Sequence, residues 1–445
     1  MKKSILVILL VVFCLTSFIT GSFASVDWQQ YKGTTISLMS WKHPWTEAIK
    51  PLLPEFENKT GIKVNLIEYP EDQHRQRIAI LLAGGSTDVD VWMTGVKGGE
   101  GERFGPNGWY EPLLQFMMDS ELTEPQYPKI LYDIPQKTWE LGMAPGPRGN
   151  MDIWGIPLFL DPRIYVYRKD LFEKYGLNVP KTLSEMEEIA KKIYEETNGE
   201  IFGVTLRGQA AATTSYIAVP MYAMGGAWED SDGNPTVNTP EVVEAFEWWG
   251  RMLREYGPPG SVNYHWYDVQ SIFAQGMAAQ TMQSCTLTKD YLDPEVSSVY
   301  DKVGYAPLPK GPDGKSGSWA NAHSLAISSF SKNKEAAWLL VQFLTNEDAY
   351  VYTMNKGNSS PRISTWEDPR VSIPMPEDWV NAVKQEVAQT IGFVGYAPLS
   401  IQDVAQARDI IGEAVTAAIL GEDVKSSLDE VQVRLEEMLK EQQPK

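Results

Sequence analysis

The sequence predicts an α/β protein, on three observations: strand-like and helix-like periodicities alternate, glycine or proline marks the joins, and the length suits more than one core. Ile36 and Leu38 alternate with polar neighbours, which reads as a strand ending at Ser40-Trp41. Trp45, Ile49, Leu52, Leu53 and Phe56 then recur at helical spacing, with Pro51 and Pro54 placed to kink or shorten the helix. Gly61 suits its stop, and Ile62, Val64 and Leu66 alternate as a second strand. Gln76 to Leu82 reads as a helix stopped by Gly84-Gly85, and Val89 to Met93 as a short buried strand. Strand-helix-strand order of this kind favours a largely parallel sheet.

The middle of the chain repeats the pattern. Ile164 to Tyr167 is strand-like, and Lys169 to Tyr175 is a short helix ended by Gly176. Thr182-Leu183-Ser184-Glu185 opens another helix, with Ser184 and Glu187 at capping-box spacing. Thr239-Pro240-Glu241 is a strong helix start, and Val242, Phe246, Trp249 and Leu253 form its apolar face. Ser427 and Glu430 are placed to cap a final amphipathic helix carrying Leu428, Val431, Leu435 and Leu439.

At the N-terminus, Lys2 and Lys3, the apolar run Ile5 to Phe13 and the small residues around Ser22-Phe23-Ala24 follow the order of a cleaved secretory signal, residues 1–24. Cys14 follows Phe13 rather than a small residue, so the context is not that of a lipoprotein. No later segment offers ~20 unbroken apolar residues, and the mature chain reads as soluble and located in the periplasm or outside the cell. Removal of the signal leaves roughly 420 residues, enough for two domains. The formal charge of −19 repels phosphate backbones, which argues against nucleic acid. Cys285 is the single cysteine after residue 24, which excludes a disulfide framework.

Catalytic motifs fail on inspection. Pro309-Lys310-Gly311-Pro312-Asp313-Gly314-Lys315-Ser316 approaches a phosphate loop but has proline where the first glycine belongs, and reads as a turn. Gly98 to Gly105 has the wrong spacing for a dinucleotide loop. His43, His74, His265 and His323 are scattered, so the sequence gives no metal site, no catalytic residue and no cofactor. A carboxylate pair of glycosidase type stays open, since any two acids can meet in a fold.

Leu38-Met39-Ser40-Trp41 and Phe56-Glu57-Asn58-Lys59-Thr60-Gly61-Ile62-Lys63-Val64 lead a set of ordered landmarks. Ala83-Gly84-Gly85 with Asp88 to Val91, Trp154 to Pro157 with Tyr167 to Phe172, Phe273 to Ala279, and Ser331 to Trp338 follow. Together these resemble the carbohydrate-binding proteins of ABC importers, the group that includes maltodextrin-binding protein. Gln280-Thr281-Met282 departs from the family pattern and blurs the second crossing. The resemblance implies a two-lobed periplasmic-binding-protein fold with discontinuous lobes joined by a hinge. The expected division is 25–156 plus 282–324 for the N-terminal lobe and 157–281 plus 325–445 for the C-terminal lobe. Crossings are placed near 154–159, 279–283 and 323–328. It also implies a monomeric receptor that binds a small sugar or polyol and hands it to the importer's transmembrane subunits. A secreted glycoside hydrolase or lyase, and a polysaccharide adhesin, are the competing classes.

A polyhydroxylated ligand needs flat aromatic faces and charged or amide groups for paired hydroxyls. Trp41 and His43 follow the first strand, at the end where open α/β sheets place ligands, and Thr94 holds the equivalent place after Trp92. Asp161 and Arg163 form the leading polar pair, in an Asp-Pro-Arg arrangement that resembles sugar-alcohol and monosaccharide binders. Trp228 after Gly225-Gly226, Trp266 with Asp268, the group Trp319, Asn321 and His323, and Arg362 after Pro361 complete the candidates. For Trp41 and Trp228 core packing is the competing reading, for Asp161 and Arg163 a surface ion pair, and for Arg362 plain solvation.

Overall fold

A computed structural model of the chain describes residues 26–390 and 395–442. The expected signal at 1–24, with Cys14, lies outside the described residues. Strands β1 (Thr35–Trp41), β2 (Lys63–Tyr69) and β3 (Val91–Thr94) run parallel, with Leu38 opposite Leu66 on one side and Val91 on the other. β4 (Met143–Pro145) and β5 (Met151–Ile153) make a separate hairpin. β6 (Gly155–Arg168) is the long strand, followed by β7 (Gln280–Ser284), β8 (Val303–Ala306) and β9 (Ala320–Ile327). β9 runs antiparallel to β3 and to the first half of β6, where Pro162 faces Ala320. From Arg163 onward β6 instead pairs with β7 and β8.

One strand therefore belongs to two sheets, and the chain changes sheet at Pro162-Arg163, later than the crossing expected at 154–159. Side-chain alternation fixes which core each residue joins. In β1, Ile36 and Leu38 point into a cluster with Phe56 and Trp338, while Met39 points the other way, against Ile78, Trp92 and Trp154. In β6, Tyr165 joins a large helical cluster with Met186, Trp249 and Ile411, while Ile164 and Val166 face Phe273 and Trp379.

The expected lobe division differs from this packing in three segments, the first being 157–162, which pairs with β9 in the first sheet. β7 and β8 pair only with the second half of β6, so 282–319 stays with that sheet and the return comes at β9. Helix Lys334–Leu344 buries Trp338 to Val341 with β1 and helix Leu52–Thr60, on the first core. Strand and apolar partners decide which core a segment joins, and the order of landmarks along the chain does not carry that information.

Local readings hold with small shifts. The two prolines split the first helical stretch into Pro44–Ile49 and Leu52–Thr60, and Gly61 closes it in the left-handed conformation at φ 71°. The capping box is made by Thr182 and Glu185 rather than Ser184 and Glu187. Asp423, not Ser427, caps the last helix, Val424–Glu441. Pro309 to Ser316 is a turn closed by the Gly311 N–H on Lys315 O at 2.9 Å.

Candidate ligand-binding site

The strand ends and the crossing strand converge on one narrow, mostly polar cavity of about 50 Å³. Its walls come from both sheets. β1 supplies Trp41 and, just beyond it, His43; β6 supplies Asp161 and Arg163 on either side of the change of sheet; β9 supplies Asn321 and His323. Trp266, at the start of helix Trp266–Ala274, closes the far side. Seven of the sequence candidates thus meet in one place.

Each is held by a definite partner. His43 caps helix Pro44–Ile49, its Nδ1 accepting the Trp45 N–H at 3.1 Å, which assigns the proton to Nε2. Its ring stacks on Phe159 at 4.8 Å and 7°. Asn321 accepts the Arg163 Nη1–H at 2.7 Å and lies 3.1 Å from His323 Nε2. With the Asn321 amide donating, His323 carries its proton on Nδ1. Burial pushes His43 down to about 4 and His323 well below the usual histidine range, so both rings are neutral at pH 7. Asp161 and Arg163 are no ion pair: Asp161 Oδ1 accepts from Thr286 Oγ1 at 2.8 Å, and the Arg163 guanidinium lies 3.9 Å over the Trp319 ring.

The remaining candidates sit elsewhere. Thr94 is fully buried behind the wall, donating to Glu100 Oε2 at 2.6 Å, and Glu100 in turn holds Arg75 at 2.6 Å. Trp228 is buried against Phe246 in the helical core. Trp319 lies beneath Arg163 in the same core. Asp268 is spent on the His265 N–H at 2.9 Å, capping its helix. Arg362 bonds Asp133 at 2.5 Å and lines a separate apolar cavity with Leu160 and Ala320. Short side-chain reach explains Thr94 and Asp268; apolar packing explains Trp228, and Trp319 is covered by Arg163 and Tyr396.

The structure adds groups that the sequence reading passed over. Glu71 and Arg75, in the first turns of helix Glu71–Ala83, pair at 3.0 Å, and the Trp266 Nε1–H reaches Glu71 Oε2 at 3.3 Å. Burial opposes the Glu71 charge, but Arg75 and His265 outweigh it and hold the carboxyl well below its ordinary range. Arg207, Tyr396 and Arg408 enter from the second sheet's side. The rule applied after β1 also reaches Glu71, two residues beyond the end of β2; Arg408, inside helix Val404–Leu420, carries no local signal. Among the described residues no three of His, Cys, Asp and Glu group to hold a metal, and no helix is long and apolar enough to cross a membrane.

The comparisons agree with this architecture. The Erythritol/L-threitol-binding protein of Mycolicibacterium smegmatis is 27% identical over 351 residues, covering 76% of this chain and 71% of its own. The Mannitol-binding protein of Pseudomonas aeruginosa is 25% identical over 299 residues, covering 65% and 64%. The crystal structure of an ABC transporter solute binding protein from Agrobacterium radiobacter K84, in complex with ribitol, superposes with a TM-score of 0.80 at 26% identity, over 91% of this chain and 99% of that one. The model of the bacterial extracellular solute-binding proteins matches residues 42–351. Two lobes sharing a crossing strand, a polar cavity at that crossing and this match lead to one statement: the chain belongs to the bacterial extracellular solute-binding proteins, a family of receptors rather than enzymes.

Proposed function

We propose that the protein is the receptor of an ABC importer and encloses a small sugar or sugar alcohol in this cavity. The observation that carries the reading is the bridge across the site. Glu71 and Arg75 on one side meet Trp266 on the other, around walls made almost wholly of polar side chains. A hinge at β6 and β9 lets such walls close on a solute, and closure is what membrane subunits can sense. The relatives named for erythritol and mannitol, and the ribitol complex, support a ligand of polyol size.

In this reading the lobes are 26–162 with 320–358, and 163–319 with 366–390 and 395–442. Asp161 and Asn321 take ligand hydroxyls, neutral His43 donates from Nε2, and Trp41 offers an apolar edge. Trp266, Arg163, His323 and Glu71 complete the contacts. The protein works outside the cytoplasm, as a monomer, once residues 1–24 are removed. Calorimetric titration with erythritol, ribitol, mannitol and monosaccharides, paired with small-angle scattering, tests it. Saturable binding with a smaller radius of gyration is expected. Absence of binding to every polyol and monosaccharide would sink the reading.

A further inference from the structure

We propose that the preferred ligand carries an anionic group, a carboxylate or a phosphate monoester, on its polyhydroxylated skeleton, seated among Arg163, Arg207 and Arg408. This rests on the reading of the cavity as a sugar or polyol site and narrows the class of solute.

Of the four guanidinium groups that line the cavity, those of Arg163, Arg207 and Arg408 are not within ion-pair distance of a carboxylate among the described residues. Their partners are neutral. Arg207 Nη2 donates to the Tyr216 hydroxyl at 2.8 Å, Arg163 Nη1 to Asn321 Oδ1 at 2.7 Å, and Arg408 Nη2 to the Ala211 carbonyl at 2.8 Å. Arg163 and Arg207 are only 3% and 8% exposed, and the Nε–H of each lacks a partner. By contrast, the fourth cavity arginine, Arg75, is neutralised by Glu71 and Glu100 at 3.0 and 2.6 Å.

One helix organises the three. Arg163 and Arg207 stand 5.1 and 3.8 Å from the Tyr216 ring centroid, and Arg408 also donates to Thr214 Oγ1 at 3.1 Å, all on helix Ala210–Ala223. That helix begins without a side-chain cap, and Ala212 and Ser215 of its early turns line the cavity. Its positive end adds to the field of the three side chains.

Burying unpaired guanidinium groups side by side in a low-dielectric cavity is costly, and a neutral hydroxyl accepts their hydrogen bonds without offsetting their charge. A carboxylate or phosphate does both, in the fork geometry guanidinium favours. Burial first, then the nearby Arg75, lowers Arg408 from the ordinary arginine range, against the opposing pull of Tyr396, Glu71 and Asp72. The cavity's own acids make no ion pair with these three: Glu71 is held by Arg75, Asp161 accepts from Thr286, and Asp72, also in the wall, acts on Arg408 only from beyond ion-pair distance. The hydroxyl tail then falls to Asp161, Asn321 and His43.

The test is calorimetry on the purified full-length mature chain with matched probes: mannitol against its phosphate monoester, and galactose against galacturonate. A gain of roughly 100-fold for at least one acidic probe over its neutral partner is expected from charge-assisted bonds to buried arginine. Which acidic arm gains separates phosphate from carboxylate. Arg207→Gln should cut that preference by about tenfold or more, with the same direction for the less buried Arg408→Gln should the first variant melt early. Neutral probes binding as tightly as both acidic ones overturns this inference and leaves the polyol reading standing. Silence from all four probes, with erythritol and ribitol also silent, overturns both.

Discussion

Trp266→Phe isolates the bond that joins the two walls. The ring is 6% exposed, and its Nε1–H is 3.3 Å from Glu71 Oε2. Phenylalanine keeps most of the apolar surface and deletes the donor. Glu71 is not stranded, because Arg75 stays 3.0 Å away. A hydrogen bond to a charged acceptor contributes about 1.5–3 kcal/mol, and at this length the lower end applies. About 1.5 kcal/mol off the closed form is a loss of roughly tenfold in affinity for any ligand whose binding requires closure. The loss should fall mainly on dissociation, which stopped-flow tryptophan fluorescence reads directly. Calorimetry with ribitol or mannitol gives the equilibrium side. The melting temperature without ligand should hold, since the bond spans the cleft rather than a core. An unchanged Kd, or a lower melting temperature with no change in Kd, would refute the bridging role.

Three further outcomes follow from burial. His74 is fully buried with Nε2 2.8 Å from the Met93 carbonyl, and burial takes it from 6.5 down to about 4. The folded state then binds fewer protons than the unfolded one between those values, so stability is complete above 6.5 and declines toward 4. The slope is at most about 1.4 kcal/mol per pH unit for this group, and His74→Gln should flatten its share in a pH series of melts. Glu386 goes the other way: burial raises it from 4.5 to about 7, while Oε1 accepts the Leu308 N–H at 2.7 Å. Its stabilising neutral form is present below 4.5 and lost as pH rises to about 7. Glu386→Gln keeps that acceptor, so its melting temperature relative to the parent should climb through that window and then level off. Trp228→Ala removes a fully buried ring from the helical core and should cost about 3–5 kcal/mol by denaturant melts, with ligand affinity unchanged. An affinity loss without a stability loss would return Trp228 to the ligand.

The fold was legible where local chemistry decides. Period-two alternation at Ile36 to Leu38, the stop at Gly61 and the apolar face Val242, Phe246, Trp249 and Leu253 all carry their own evidence, and all stand in the structure. The capping box was off by two residues because Thr182 and Ser184 offer the same acceptor chemistry. Only the backbone entering the helix distinguishes them. Lobe membership was less legible, because β7 gains its place from Arg163 to Tyr167, more than a hundred residues earlier in the chain. No periodicity encodes a partner at that distance.

The site divides along the same line. Trp41 and His43 follow from strand-end geometry, and Asp161, Arg163, Asn321 and His323 from the crossing, because a strand shared by two sheets must pass the cleft. Arg207 and Arg408 did not follow from anything local. Arg207 leads into helix Ala210–Ala223 and Arg408 sits mid-helix, positions where an arginine is ordinarily solvated. What gives them meaning is the absence of a carboxylate beside them, a property of the assembled cavity alone. A chain with a formal charge of −19 has acids to spare, yet none is within ion-pair range of these three cations among the described residues. Keeping buried arginine unpaired costs stability in the empty receptor, and that cost is offset only when a ligand supplies the missing charge.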